Sequence, residues 1–284
     1  MQINLENTTK KLCVIGDPVL HSKSPLLHNT MLRALGLDYV YLCQPVPRGR
    51  LADWVYAAMV ADYAGFNATM PHKEALVPMM DELDGDARLC GAVNTVAIRD
   101  GRLLGYNTDG AGFAAMLARK GVPVAGREIV LLGAGGAAKS VALKLAGIGA
   151  KRVTVLNRTL EKAESIREKA PQVIAAAGFT PDILRERAGH AEILINCTSL
   201  GMEDTAGQFE EFSFLEHLPS EAVVCDLIYH PAETRLLAEA KARGHLALNG
   251  LGMLVHQAIL ALEHMTGVRL DAAAMANLLE GTLR

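Results

Sequence analysis

Ile129-Val130-Leu131-Leu132-Gly133-Ala134-Gly135-Gly136-Ala137-Ala138 reads as an apolar strand entering a glycine turn that opens a helix. The spacing Gly133-x-Gly135-x-x-Ala138 is the alanine variant of the dinucleotide fingerprint. Gly133 permits the tight turn, Gly135 lets the backbone approach a pyrophosphate, and Ala138 keeps the helix close to the sheet. Ala134, Gly136 and Ala137 complete the phosphate loop, whose N–H groups and positive helix end attract the phosphates. A glycine triplet alone is weak evidence, but here a strand precedes it, a helix follows, and the next strand ends on schedule near Leu156.

The end of that next strand selects the nucleotide. Asp or Glu there would accept from a ribose 2′-OH, as NAD enzymes require. This chain has Asn157-Arg158-Thr159. An arginine pairs with a 2′-phosphate by charge-assisted hydrogen bonds and stacks on adenine, so NADP is the expected cofactor. Glu161, one turn on, weighs mildly the other way.

Outward from this loop, strands are expected at Ile129–Leu132, Arg152–Leu156, Glu192–Ile195 and Ala222–Leu227, with helices between. Upstream, Leu12–Gly16, Tyr39–Cys43 and Gly65–Met70 read as strands. Ser24-Pro25 reads as an N-cap and first helical residue opening a helix to about Leu35, and Leu51–Val60 as a second helix. Such alternation implies parallel sheets covered by helices. Val93–Ile98 and Leu103–Tyr106 flank Asp100-Gly101, a strong hairpin signal because both turn positions need positive φ. Gly110–Arg119 reads as a helix and Gly121–Gly126 as a linker, while Met253–Met265 and Asp271–Leu279 are expected as two closing helices.

The chain has 284 residues, half of them hydrophobic and 21% charged, with a net charge of −3. That length suits two domains of roughly 100–200 residues each. The charge offers nucleic acid or anionic lipid no attraction, and no apolar run approaches the roughly 18–20 residues that span a bilayer. Met1 to Lys11 lacks the apolar core of a signal peptide. Cys13, Cys43, Cys90, Cys197 and Cys225 are widely spaced among apolar residues, which suits reduced, mostly buried thiols rather than ligands. A cytoplasmic protein without a metal is the expectation.

Polar clusters fall where strand ends and turns are expected, and ligands of open α/β sheets bind at such carboxyl ends. They are His21-Ser22-Lys23-Ser24-Pro25, Asn67-Ala68-Thr69-Met70-Pro71-His72-Lys73, Gly91-Ala92-Val93-Asn94-Thr95 and Asn107-Thr108-Asp109-Gly110. Hydride transfer to a ketone builds negative charge on its oxygen. A nearby ammonium such as Lys73 stabilises that charge and supplies a proton, and a carboxylate such as Asp109 holds the lysine in place. Taken alone, each is more often a solvated charge, and Asp109 has the position of an ordinary N-cap.

The ordered set GDPVLHSKSP, NATMPHKE, GAVNT, GYNTDG, GAGGA, NRT and GLGMLVHQ resembles the shikimate dehydrogenases along nearly the whole chain. The resemblance implies Lys73 and Asp109 as the catalytic pair. It implies that Ser22 and Ser24 hold the substrate carboxylate with help from Tyr229, and that Thr69, Asn94, Asp109 and Gln257 contact the substrate, chiefly its hydroxyls. Gly250, which opens the last motif, joins the cofactor-binding residues. The implied reaction is reversible NADPH-dependent reduction of 3-dehydroshikimate to shikimate, on the route to aromatic amino acids.

Ala68, Met70 and His72 depart from the family's frequent Val, Val and Phe, and His256 precedes the glutamine. His72 as a second proton carrier stands against the commoner loop-packed histidine. The expected architecture is α/β in two domains. Residues 1–110 plus 250–284 form a substrate-binding domain and 120–248 a Rossmann-type NADP-binding domain, with the cleft between them as the site. The partners are shikimate or 3-dehydroshikimate and NADP, with no nucleic acid or membrane. The oligomeric state stays open, a homodimer included. Two rivals remain. One is a quinate/shikimate dehydrogenase accepting NAD, opposed by Arg158 and by the small Ser24. The other is a nucleotide-sensing regulator, opposed by the paired Lys73 and Asp109.

Overall fold

A computed structural model describes residues 5–203 and 207–283; Met1 to Asn4, the start of the polar opening stretch, lie outside the described residues. The chain divides into two units, Met1–Thr108 with Val255–Arg284, and Asp109–Leu254.

The first unit contains β1 (Lys10–Gly16), α1 (Ser24–Ala34), β2 (Tyr39–Pro45), α2 (Leu51–Val60), β3 (Tyr63–Ala68), β4 (Glu82–Leu83), α3 (Gly85–Cys90), β5 (Thr95–Arg99) and β6 (Arg102–Tyr106). Its sheet runs β2-β1-β3-β5-β6-β4. β1 pairs in parallel with β2 and β3, whereas β5 is antiparallel to both β3 and β6, so the expected parallel sheet is a mixed one. The cause is local. Asp100 (φ 50°) and Gly101 (φ 73°) make the two-residue turn expected there, and so short a turn joins only antiparallel strands.

Ser24 is the first helical residue of α1 rather than its cap. Lys23 holds the cap position but its side chain does not cap the helix, while Ser22 Oγ accepts the Ser24 N–H at 3.2 Å. The hydroxyl that meets a first-turn donor therefore comes from Ser22, two residues earlier. Cys13, Ile15, Phe66 and Val96 form one core face of the sheet, in one cluster with Leu76, all fully buried. Each such side chain contributes about 1.5–3 kcal/mol by leaving water. Strand β2 lies at the sheet edge, and the Asn29 side chain bonds both the N–H and C=O of Tyr41, at 2.9 and 2.8 Å. The helix thus closes an edge that would otherwise offer itself to another strand.

The second unit contains α4 (Asp109–Arg119), β7 (Glu128–Leu132), α5 (Gly136–Gly147), β8 (Arg152–Asn157), α6 (Leu160–Arg167), β9 (Ile174–Gly178), α7 (Pro181–Ala188), β10 (Ile193–Asn196), β11 (Val223–Asp226), α8 (Arg235–Ala242) and β12 (Leu246–Leu248). All six strands are parallel, in the order β12-β11-β10-β7-β8-β9. The chain winds outward one way from β7 and then the other way from β10. Between these two strands the order reverses, which is the ligand-binding point of doubly wound sheets. The expected strands lie within one residue of their positions. The Gly121–Gly126 stretch joins α4 to β7 inside this unit, with Val122 and Val124 buried. Helices α9 (Leu251–Thr266) and α10 (Ala272–Leu283) end the chain.

All five cysteines are free thiols, three of them buried. Among the described residues, no helix is long and apolar enough to cross a membrane, and no cluster of His, Cys, Asp or Glu could hold a metal ion.

Candidate active site

In the first unit, β1, β3 and β6 run the same way, so the segments after them gather at one end of the sheet. Close backbone contacts strap these segments together. A Cβ on Gly16 would lie 2.4 Å from Thr69 Cγ2, so only glycine lets the two loops approach. The Thr69 N–H donates to Ile15 O and the Asp17 N–H to Met70 O, both at 2.9 Å. The Val93 N–H donates to the Lys73 carbonyl at 2.8 Å, and Asn107 Nδ2 to Ala92 O at 2.9 Å. Ser22, Ser24, Thr69, Lys73 and Asn94 therefore stand on segments held at one end of one sheet.

Ser22, Ser24, Thr69 and Lys73 are half-buried and Asn94 is buried. The Ser22 lone pair is engaged by the Ser24 N–H, which leaves its O–H for an anionic oxygen. The Ser24 hydroxyl lies near the Tyr41 phenol. His72 is buried, and its Nε2 lies 2.8 Å from the Val46 carbonyl. A ring held this way fastens a loop, which is the commoner of its two expected roles.

Asp109 is buried at the start of α4, in the second unit. A Cβ on the adjacent Gly110 would lie 2.4 Å from the Ser140 carbonyl, so this glycine lets α4 pack against α5. Tyr229 is half-buried beyond β11, and burial raises its phenol pKa. Gln257 is half-buried on α9.

The glycine loop has the expected shape. Gly133 adopts φ +100°, and a Cβ there would meet Thr198 Cγ2 at 3.0 Å. A Cβ on Gly135 or Gly136 would meet nothing within 4 Å. That open space lies at the N-terminus of α5, where first-turn N–H groups have no intrahelical acceptor. Ala138 is fully buried against the sheet, and Ala137 stands between in the same first turn. Beside the loop is a pocket of about 600 Å³, lined among others by Gly133, Ala134, Gly135, Asn157 and Arg158. Asn157 Nδ2 donates to the Thr159 carbonyl at 2.8 Å. Arg158 is exposed.

Two side chains, and the packing role of Gly250, escaped the sequence reading. Lys162 also lines the pocket; its place in the first turn of α6, just after the Asn157–Thr159 strand end, was the available signal. Asp226 is buried where β11 ends, accepting from Asn196 Nδ2 at 3.1 Å, the Ile228 N–H at 3.0 Å and Thr234 Oγ1 at 2.7 Å. Burial raises its pKa to about 6 against those bonds. Gly250 is required by packing, since a Cβ there would lie 2.0 Å from the Leu227 carbonyl oxygen.

Three family models match the chain: the shikimate dehydrogenase substrate binding domain over residues 14–96, shikimate/quinate 5-dehydrogenase over 116–211, and the shikimate 5′-dehydrogenase C-terminal domain over 250–280. A shikimate dehydrogenase (NADP(+)) of Alkaliphilus metalliredigens is 43% identical over 275 residues, covering 94% of this chain and 95% of that one. Shikimate 5-dehydrogenase of Listeria monocytogenes, solved with shikimate and NAD, superposes with a TM-score of 0.90 at 33% identity, covering 98% and 99%. A 5-ketofructose reductase of a Gluconobacter strain superposes with a TM-score of 0.85 at 36% identity, covering 97% and 99%. The chain belongs to the shikimate dehydrogenase family.

Proposed function

We propose that the protein catalyses the reversible NADPH-dependent reduction of 3-dehydroshikimate to shikimate. The observation that carries this reading is the 43% identity to an NADP-dependent relative along almost the whole of both chains. NADPH, when bound, supplies the hydride. The residues of this chain do the rest.

The phosphate loop Gly133–Ala137 and the N-terminus of α5 would hold the pyrophosphate, and the open space at Gly135 and Gly136 suits that load. Arg158, with Lys162 beside it, would take the 2′-phosphate, with Asn157 and Thr159 shaping that rim. Ser22 and Ser24, joined by Tyr229, would hold the substrate carboxylate, while Thr69, Asn94 and Gln257 would take its hydroxyls. As the carbonyl carbon accepts hydride, Lys73 would donate a proton to the oxygen, with Asp109 holding the ammonium. In the reverse direction the same lysine accepts that proton.

The test is a steady-state comparison of shikimate and quinate, each with NADP and NAD. The highest kcat/KM is expected for shikimate with NADP. A preference for quinate, or for NAD, overturns the assignment.

A further inference from the structure

Tyr41 is buried in β2 and linked to the substrate end of the first unit by side chains that are themselves buried. Its hydroxyl donates to Asn67 Oδ1 at 2.7 Å. Asn67 Nδ2 donates to the Asn94 carbonyl at 3.1 Å and to Thr95 Oγ1 at 2.9 Å. The Thr95 hydroxyl donates to Asn94 Oδ1 at 2.9 Å. That oxygen also accepts the Thr108 N–H at 2.9 Å, while Asn94 Nδ2 donates to Thr108 Oγ1 at 3.0 Å.

The ends of this chain of bonds dictate every proton in it. A backbone carbonyl only accepts, so Asn67 turns its NH₂ toward Asn94 O and its oxygen toward Tyr41, and Tyr41 must donate. A backbone N–H only donates, so Thr108 pins Asn94 Oδ1. Thr95 takes a proton from Asn67 and passes its own to the same oxygen. Both lone pairs of Asn94 Oδ1 are thereby engaged, and the amide can meet a substrate oxygen only as a donor.

We infer that Tyr41, acting through Asn67 and Thr95, is a positioning residue that presets Asn94 as a hydrogen-bond donor to a substrate hydroxyl. The inference rests on the reading of Asn94 as a substrate-binding residue. His28 stacked on the Tyr41 ring at 4.1 Å and Asn29 on its backbone hold the phenol in place. Without the hydroxyl, Asn67 Oδ1 sits in a dry site with its donor gone. The Thr108 N–H still fixes the sense of the Asn94 amide, but with the Asn67–Thr95 restraint loosened the amide samples displaced positions, and apparent affinity falls with the fraction correctly set.

Tyr41→Phe keeps the ring, the stack and the backbone bonds. It should raise KM for shikimate about 3- to 10-fold while kcat stays within about twofold, as expected when only the competent fraction changes. Because Ser24 also lies near the phenol, Thr95→Val isolates the Asn94 branch. It should raise KM similarly, and Thr95→Ser should restore it. In an Asn94→Ala background the Thr95→Val effect should vanish, and the Tyr41→Phe effect should shrink to whatever Ser24 contributes.

Unchanged KM in Tyr41→Phe, or undiminished effects in the Asn94→Ala background, overturn the relay while leaving Asn94 as a binding residue. Unchanged KM in Asn94→Ala itself overturns both. Should Tyr41→Phe fail to fold, the two Thr95 variants decide the question alone.

Discussion

The imidazole of His28 lies flat on the phenol of Tyr41, with ring centroids 4.1 Å apart and planes 2° from parallel. Both ring nitrogens are buried, with no hydrogen-bond partner among the described residues. Burial alone lowers the His28 pKa from 6.5 to about 3. The unfolded chain therefore binds a proton here below pH 6.5, while the folded protein does not until about pH 3. Stability from this residue is complete above pH 6.5 and is lost as pH falls toward 3, at about 1.4 kcal/mol per pH unit. His28→Phe keeps an aromatic ring on Tyr41 and removes that titration. Denaturant unfolding at pH 7.5, 6 and 5 should show the variant gaining on the wild type as pH falls. A constant difference across that range would refute the account.

Asp226 titrates in the opposite sense. Its folded pKa is about 6 against an ordinary 3.8, so its contribution is complete below pH 3.8 and lost as pH rises through 6. It therefore offsets part of the His28 effect in the wild type. With His28→Phe in place, adding Asp226→Asn should remove the stabilisation that the single variant shows between pH 6 and 4.5. An unaltered pH profile would place the Asp226 pKa near its ordinary value.

Gly250 separates packing from cofactor binding. The Leu227 carbonyl oxygen stands 2.0 Å from where a Cβ would sit, and backbone cannot yield as a flexible side chain can. Gly250→Ala should destabilise by more than about 3 kcal/mol, the range of strained or overpacked sites. Wild-type stability with weakened NADP binding would instead make this glycine a cofactor contact.

Arg158 and Lys162 line one pocket. Each changed to Ala should weaken NADP by roughly 1.5–3 kcal/mol, the range for a hydrogen bond to a charged group, and leave NAD nearly untouched. Isothermal titration with both dinucleotides reads this directly, and equal losses for the two would remove the 2′-phosphate assignment.

Lys73→Ala should lower kcat about 10²–10⁴-fold with a smaller change in KM, as expected for a positioned acid–base group. Near-normal turnover would take Lys73 out of the chemistry.

The parts of this fold that were legible in the sequence are governed by neighbours in the chain. Asp100-Gly101 announced a hairpin because the conformations it needs are steric properties of those two residues. The run Ile129–Ala138 announced a strand, a turn and a helix for the same reason. Strands β9 and β12 went unseen because Ile174–Gly178 is mostly alanine and Leu246–Leu248 has only three residues, so neither shows a period. The cap of α1 was misplaced because Ser22 and Ser24 both carry hydroxyls suited to the task. Only the folded backbone shows which of them meets an N–H.

By itself, the order of residues determined the nucleotide loop, the arginine at the end of its second strand, and the polar clusters at the strand ends. Each depends on sterics or charge over a few neighbouring positions. Tertiary structure alone decided that Tyr41 reaches Asn67, twenty-six residues away, that Gly250 must clear Leu227, and that Asp226 and His28 lose their water. Desolvation and close packing sum over atoms from distant parts of the chain, and no local window of sequence contains that sum.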